Sequence, residues 1–337
     1  MTDGAAAPHR AGSRWKTALR IAVTVAFLVI LLPKARHLDD ALPEGHHGRT
    51  LVLLVAAVFV AGVGVVLSAW RWQRVLHVFD TRVPLPTLTL HYLVGLFVGN
   101  ALPSTIGGDV VRVARASDAV GSSSVSFGSV VLERLSGFVA LPLLVFAGFA
   151  VNPSLLDAPH AWISILVAVA SLVILIGLLL AAGHPRIAGR YADNDNWTRF
   201  IGAVHLGIDR LRHDPRQLVP VLGTAVAYQA SVVVLFGLIF RALDMPVPVA
   251  GVLAFTPAVL ILQVLPVSLG GLGVREGALV LFLHSFLHAH GLPDSRAIAA
   301  GLLWYGCMLM VSLLGAPAFA IGHRGARRQS EEVEDRS

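Results

Sequence analysis

Asn100-Ala-Leu102-Pro103-Ser-Thr105-Ile106-Gly107-Gly108-Asp109-Val110-Val111-Arg112 returns 163 residues later as Gln263-Val-Leu265-Pro266-Val-Ser268-Leu269-Gly270-Gly271-Leu272-Gly273-Val274-Arg275. The two runs align without a gap as amide-x-Leu-Pro-x-hydroxyl-aliphatic-Gly-Gly-x-x-Val-Arg. A Pro-x-Pro precedes each, Pro84-Leu-Pro86 and Pro246-Val-Pro248. Agreement at that many positions, both arginines included, marks an internal duplication. Each run closes an apolar segment, residues 87–101 and 251–265, of about 15 residues. That is short of the ~20 residues a spanning helix needs. Irregular backbone at membrane depth is tolerated only where protein or a water-filled cavity satisfies the freed amides. Both segments are therefore read as re-entrant hairpins, two short helices meeting at a Pro-Gly-Gly tip.

Outward from these breaks the composition is that of a membrane protein. The 337 residues are 55% hydrophobic and 14% charged, with mean hydropathy +0.74, outside the range of a soluble domain. The single cysteine, Cys307, lies in an apolar run, which excludes a disulfide framework and a cysteine-based zinc site. The net charge of +6 is mostly arginine in loops, a pattern of orientation and anionic headgroup contact rather than nucleic-acid binding.

Six stretches have the length and polarity of full crossings: about Trp15 to Pro33, Leu51 to Trp70, Phe127 to Val151, Ala161 to Gly183, Leu218 to Phe240 and Ile298 to Gly322. The first has no small-x-small cleavage site after it and is read as an uncleaved anchor. Arginines cluster before the first crossing, after the second (Arg71, Arg74, Arg82), between the fourth and fifth, and in the tail, whereas residues 152–160 have no Lys or Arg. With six crossings, both termini are expected in the cytoplasm of a multi-pass cell-membrane protein. The expected architecture is all-α: one membrane domain over residues 1–337, with repeats over about 51–150 and 218–322 joined by a cytoplasmic amphipathic connector over about 184–217. Its hairpins enter from opposite sides, as in the inverted repeats of many secondary transporters.

The tips carry the expected chemistry. A helix beginning after each Gly pair would point unpaired N–H groups and a positive dipole end into the membrane interior. The candidate anion-binding groups are the amides of Gly107, Gly108, Gly270 and Gly271, the caps Thr105 and Ser268, and the guanidinium forks of Arg112 and Arg275. The alternative is that each arginine pairs with Asp109 or Glu276 and only holds its hairpin together. Glu133-Arg134, inside the third crossing, either serves function, with Glu133 neutralising Arg112 or carrying a coupling proton and Arg134 touching headgroup, or snorkels to the interface. Asp109 and Glu276 are further coupling candidates. Asn100 and Gln263 either bind a headgroup or cap broken backbone.

Other features read as structural. Trp70 and Trp72 with Arg71 and Arg74 form an interfacial belt and a charged stop. Trp197, Phe200, Ile201, Val204, Ile208 and Leu211 form the apolar stripe of a helix lying on the cytoplasmic leaflet. His284 and His288, spaced i and i+4, suit a metal, but no third ligand is in view, so they are read as interfacial and no metal or cofactor is expected. A Walker motif, a Gly-x-Ser-x-Gly elbow and a His-Glu-x-x-His pair are missing from the sequence.

These motifs resemble the lysylphosphatidylglycerol synthase transmembrane, or flippase-like, family. The matching elements are Arg71-Trp72, the run from Asn100 to Arg112, Glu133-Arg134 with Gly137, and Pro266 to Arg275-Glu276; they extend over about residues 15–322. The resemblance implies a protein handling an anionic or polyprenyl-linked lipid, in some members by flipping it between leaflets. Full-length aminoacyl-lipid synthases carry a soluble acyltransferase domain after the membrane part. With 337 residues the expectation here is the membrane module alone. Three readings follow: a lipid translocase binding a phospholipid or polyprenyl-phosphate headgroup; a membrane-embedded transferase using Asp109 or Asp39-Asp40; and a non-catalytic partner of lipid-synthesis enzymes.

Overall fold

The computed structural model describes residues 47–101, 107–184, 199–264 and 271–320. Among them lie ten α-helices and no strand: α1 His47–Val78, α2 Leu85–Ala101, α3 Gly107–Val120, α4 Ser123–Val151, α5 Ala161–Ala182, α6 Arg199–His213, α7 Leu218–Ala242, α8 Val249–Val264, α9 Val274–His288 and α10 Ser295–Ser312. α10 runs on through a short 3-10 turn, so that Ser295–Ala320 is one apolar rod. α1, α4, α5, α7 and α10 are long and apolar enough to cross a membrane. They coincide with five of the six spans read from the sequence; the first span lies outside the described residues.

Lipid is the solvent these helices require. On α5, Leu166, Val169, Val173, Ile174, Ile176 and Leu180 all stand exposed, and Val52, Val55 and Phe59 do the same on α1. Contiguous aliphatic surface of that extent is not wetted on a soluble monomer. The chain is a polytopic membrane helix bundle.

Two ion pairs set the direction of its central helices. Arg49, at the head of α1, pairs with Asp244 just past the foot of α7 at 3.0 Å. Arg210, in the helix leading into α7, pairs with Asp80 just past the foot of α1 at 2.6 Å. α1 and α7 therefore run antiparallel, with Gly64 facing Ser231 near mid-length. Both helices end alike. Asp80 and Asp244 adopt the left-handed conformation (φ 56° and 48°). The next N–H groups, of Thr81 and Met245, return to the carbonyls of Leu76 and Phe240 at 3.1 and 2.8 Å. This is a Schellman closure, with aspartate where glycine is usual.

The short helices leave and rejoin the bundle at one end. The last turns of α1 lie beside the first turns of α4: Trp72 Nε1 donates to Ser129 Oγ at 2.8 Å, and Gly207 of α6 sits against both Phe79 and Leu132. The connection between them, α2 and α3, thus begins and finishes on the α6 side. On the opposite side, Arg296 at the head of α10 donates to the Leu243 carbonyl at the foot of α7 (2.7 Å), so α8 and α9 also begin and finish together. α2, at 17 residues, is about 25 Å long at 1.5 Å per residue.

The two short helices differ in surroundings. α8 is enclosed, with nearly every residue from Ala250 to Ile261 buried; Gly148 of α4 and Ser164 of α5, whose hydroxyl donates to the Ala254 carbonyl at 2.7 Å, let it approach closely. α2 buries one side only, through Leu88, Val94 and Gly95.

α6 is the helix expected on the leaflet, and one of its faces is covered by protein. It docks on protein, Ala203 against Gly128 of α4 and Gly207 against Leu132, while Ile201 and Leu206 stay exposed. Small residues at 203 and 207 admit this close crossing. Its arginines close other helices: Arg210 donates to the Val78 carbonyl at 2.9 Å and Arg212 to Gly183 at 3.0 Å. Cationic donors at helix C-termini satisfy orphan carbonyls and complement the dipole.

Candidate functional site

The helix pair α2–α3 is drawn together by glycine. A side chain at Gly108 would strike the Gly95 carbonyl, and one at Gly99 would press on Gly108. Gly107 and Gly108 both lie in the first described turn of α3, where Gly108 serves the close packing. The aliphatic stem of Arg112 crosses the bare Cα of Gly95. Its guanidinium lies over two aromatic faces, Tyr92 at 4.2 Å and Trp72 at 4.5 Å.

That guanidinium belongs to a five-membered charge cluster. Glu133, on α4, is the hub: its Oε1 accepts from Arg71 Nη2 and lies 3.1 Å from the Ser68 hydroxyl, and its Oε2 lies 3.4 Å from both terminal nitrogens of Arg112. Arg112 also reaches Asp109, one turn back, at 3.3 Å, and Asp109 in turn accepts from Arg134. Ser68 lies 2.8 Å from the Tyr92 hydroxyl, and Arg71 stacks on Tyr228 at 4.7 Å. Three guanidiniums thus meet two carboxylates, a surplus of one positive charge. The Nε and Nη1 of Arg71 and the Nε of Arg112 are buried with no hydrogen-bond acceptor. Unpaired donors on buried cations are costly, so the cluster is better satisfied with an anion present.

The cluster opens onto a cavity of about 270 Å³ lined by Arg71, Arg112, Glu133 and Arg134 on one side and by Tyr228, Gln229, Gln263 and Trp304 on the other. Gly137 makes room for Arg71: an added Cβ there would lie 2.6 Å from its Nη1. Arg134 is the most accessible of the three arginines, its side chain 46% exposed.

The second tip is built differently. α9 starts at Val274, beyond the Gly270-Gly271 pair, and its N-terminus is closed from within, the Gly273 N–H donating to Glu276 Oε2 at 2.7 Å. Glu276 Oε1 accepts from Arg275 Nε at 2.9 Å and from its Nη2. Arg275 is fully buried and stacks on Trp304 at 4.7 Å. It does not line the cavity, whereas Trp304 does; one indole ring lies between this arginine and the space shared by the others. Gly301 leaves room for the Glu276 carboxylate.

Of the remaining expected residues, Gln263 lines the cavity with its Oε1 buried and without a donor, and Gly271 (φ 77°) packs on it. Asn100 is exposed and is not among the cavity-lining residues. Thr105, Ser268 and Gly270 lie outside the described residues. Sequence reading missed Arg71, Ser68, Tyr92, Tyr228 and Trp304. Arg71-Trp72 read as a belt and stop is corrected here: Trp72 is wholly buried and Arg71 nearly so, because α4 and the α2–α3 pair cover this end of α1. A signal was present in the aromatics. Of only four tyrosines in the chain, Tyr92, Tyr228 and Tyr305 each lie within 6 Å of a buried arginine.

At the far end of the bundle, His284 and His288 are joined by Asp294, the third group that the sequence did not bring into view.

Comparison with curated proteins finds no match. The family model for the lysylphosphatidylglycerol synthase TM region matches residues 17–315, a span that includes every charged group of both arginine centres. The chain therefore belongs to the family of the lysylphosphatidylglycerol synthase transmembrane region.

Proposed function

We propose that the chain is a lipid translocase that takes an anionic, phosphate-bearing headgroup into the cavity beside Arg71, Arg112 and Arg134. The observation that carries this reading is the charge count: three guanidiniums against two carboxylates, with buried donors unused. A phosphate would take up the surplus positive charge and accept from the free nitrogens, the geometry for which arginine is suited. Size agrees. About 270 Å³ holds a headgroup but not acyl chains, which would remain in the bilayer.

Glu133 is the counter-ion that the headgroup displaces, and with Asp109 it is the candidate for ion coupling; Glu276, bound up in its own helix cap, is the weaker one. The antiparallel α1 and α7, with their matching closures at Asp80 and Asp244, support inverted repeats, and the same-side return of α2–α3 and of α8–α9 supports re-entrant hairpins. Rocking of one half against the other would then expose the site to each leaflet in turn. The positive-inside rule supports reading the arginine-rich α6 side as the cytoplasmic side of a cell-membrane protein, with both termini there.

The test is a proteoliposome assay in which a fluorescent phosphate-diester lipid is quenched by a membrane-impermeant reductant. Wild type should expose the inner-leaflet pool. Arg134→Gln and Arg112→Lys should slow exposure by at least about tenfold, the scale of one charge-assisted hydrogen bond. Rates unchanged in both variants would refute the site. Formation of a glycosylated or acylated lipid by the purified protein would favour the transferase reading instead.

A further inference from the structure

The α9–α10 corner carries a group of side chains remote from the cavity. His284 and His288 stand one turn apart at the end of α9, and Asp294 is the N-cap of α10. Asp294 Oδ1 lies 2.8 Å from His284 Nδ1 and 3.6 Å from His288 Nε2, and the ligand atoms of the three residues all fall within 4.8 Å of one another. In a tetrahedral site with metal–nitrogen and metal–oxygen bonds of ~2.0–2.1 Å, neighbouring ligand atoms are ~3.3 Å apart. The two distances straddle that value. We infer that His284, His288 and Asp294 form a site for a single divalent transition-metal ion of the zinc class, its remaining position open to water or to an anion.

The backbone holds this corner ready. Gly291 (φ 69°) turns the chain, the Leu292 N–H returns to the Leu287 carbonyl at 2.9 Å, and Leu287 is fully buried beneath. Arg296, two residues past Asp294, is tied to the foot of α7. The carboxylate is therefore placed against the histidines by a fixed turn. A cation here also sits at the C-terminal, negative end of the α9 dipole. Two imidazoles and one carboxylate select zinc, copper or nickel over magnesium and calcium, which favour all-oxygen shells. The rival account is a hydrogen bond from His284 to Asp294 beside a histidine that touches it without purpose. It gives no reason for two imidazole rings, centroids 3.9 Å apart, to converge on one carboxylate oxygen.

The test uses the full chain, purified in detergent without a histidine tag and stripped of metal. Zn²⁺ is titrated by calorimetry, and Co²⁺ by its visible absorption, which reports low-symmetry four-coordination. Wild type should bind one Zn²⁺ per chain, competed by Co²⁺ and not by Mg²⁺. His284→Ala and His288→Ala should each weaken it on the order of 100-fold, since loss even of an outer-shell partner costs ~10–100-fold. His290→Ala, a neighbouring exposed histidine outside the group, should bind as wild type. Both tested histidines are about half exposed, and metal-free unfolding should be the same in every form. Failure of wild type to bind Zn²⁺ stoichiometrically, or binding that survives both substitutions, overturns the proposal.

Discussion

The two arginines of the duplicated motif have come to different ends. Arg112 draws its partners from three helices: Glu133 on α4, Asp109 on its own α3, and through Glu133 the Arg71 of α1. The charges do not balance, and the excess faces a cavity. Arg275 pairs with the next residue, Glu276, which also caps the helix that carries both, and only its Nη1 is left buried without an acceptor. Its charges balance, no solvent reaches it, and Trp304 stands between it and the cavity. The guanidinium at the same place in the two sequence motifs thus faces a cavity in one and is enclosed in the other. What separates them is the acid: three residues before the arginine in the first repeat, directly after it in the second.

The contrast can be broken most forcefully at Glu276. Glu276→Ala strands a fully buried arginine and opens the α9 cap, and unfolding in detergent should show a loss of about 3–5 kcal/mol. A loss under ~1 kcal/mol would mean that Arg275 has other support and that the centre is not closed. The next effect is on binding. Arg134 is half-exposed, so Arg134→Gln should change stability by less than ~1 kcal/mol while weakening an anionic lipid by about 1.5–3 kcal/mol, the net worth of a charge-assisted hydrogen bond. Equal affinity in the two proteins would remove Arg134 from the site. Gly137→Ala pushes a methyl group into Arg71 and should cost roughly 1–3 kcal/mol of stability together with anion affinity, measured by the same unfolding and binding experiments. The smallest effect belongs to Trp304→Phe. It keeps a ring over Arg275 with a weaker quadrupole, so stability should fall by less than ~1 kcal/mol and anion affinity at Arg112 should hold. A large fall in that affinity would show that the two centres act as one.

Much of this was readable in the amino acids. The five described crossings follow from apolar length alone, since ~20 such residues have no other use. The duplicated breaks at Pro103 and Pro266 were read as tips between paired short helices; short helices lie on either side of each, α2 and α3, α8 and α9, and the two prolines lie outside the described residues. The cluster was half legible. Arg112, Glu133 and Arg134 were flagged because a charge inside an apolar run needs a reason. Arg71 was not, because an arginine beside tryptophan at the end of a long apolar segment has the pattern of an interfacial stop, and only the packing of α4 and of α2–α3 over that end of α1 buries it. The closure of the second tip was hidden as well. Glu276 was read as a partner for Arg275, but that its other oxygen would cap Gly273 depends on α9 starting at Val274, beyond the Gly270-Gly271 pair. Asp294 lies six residues from His288, and the sharp turn at Gly291 converts that separation into contact.

On the proposed function the headgroup phosphate sits with Arg71, Arg112 and Arg134 and not with Arg275. A structure of the protein with a short-chain anionic phospholipid tests this most directly. Phosphate density is expected in the cavity, about 2.7–2.9 Å from guanidinium nitrogens of Arg112 or Arg134, with Glu133 moved off Arg112 and the Arg275–Glu276 pair unchanged. Phosphate bound at Arg275 with that pair opened, or a saturated protein whose cavity holds no phosphate, would contradict it.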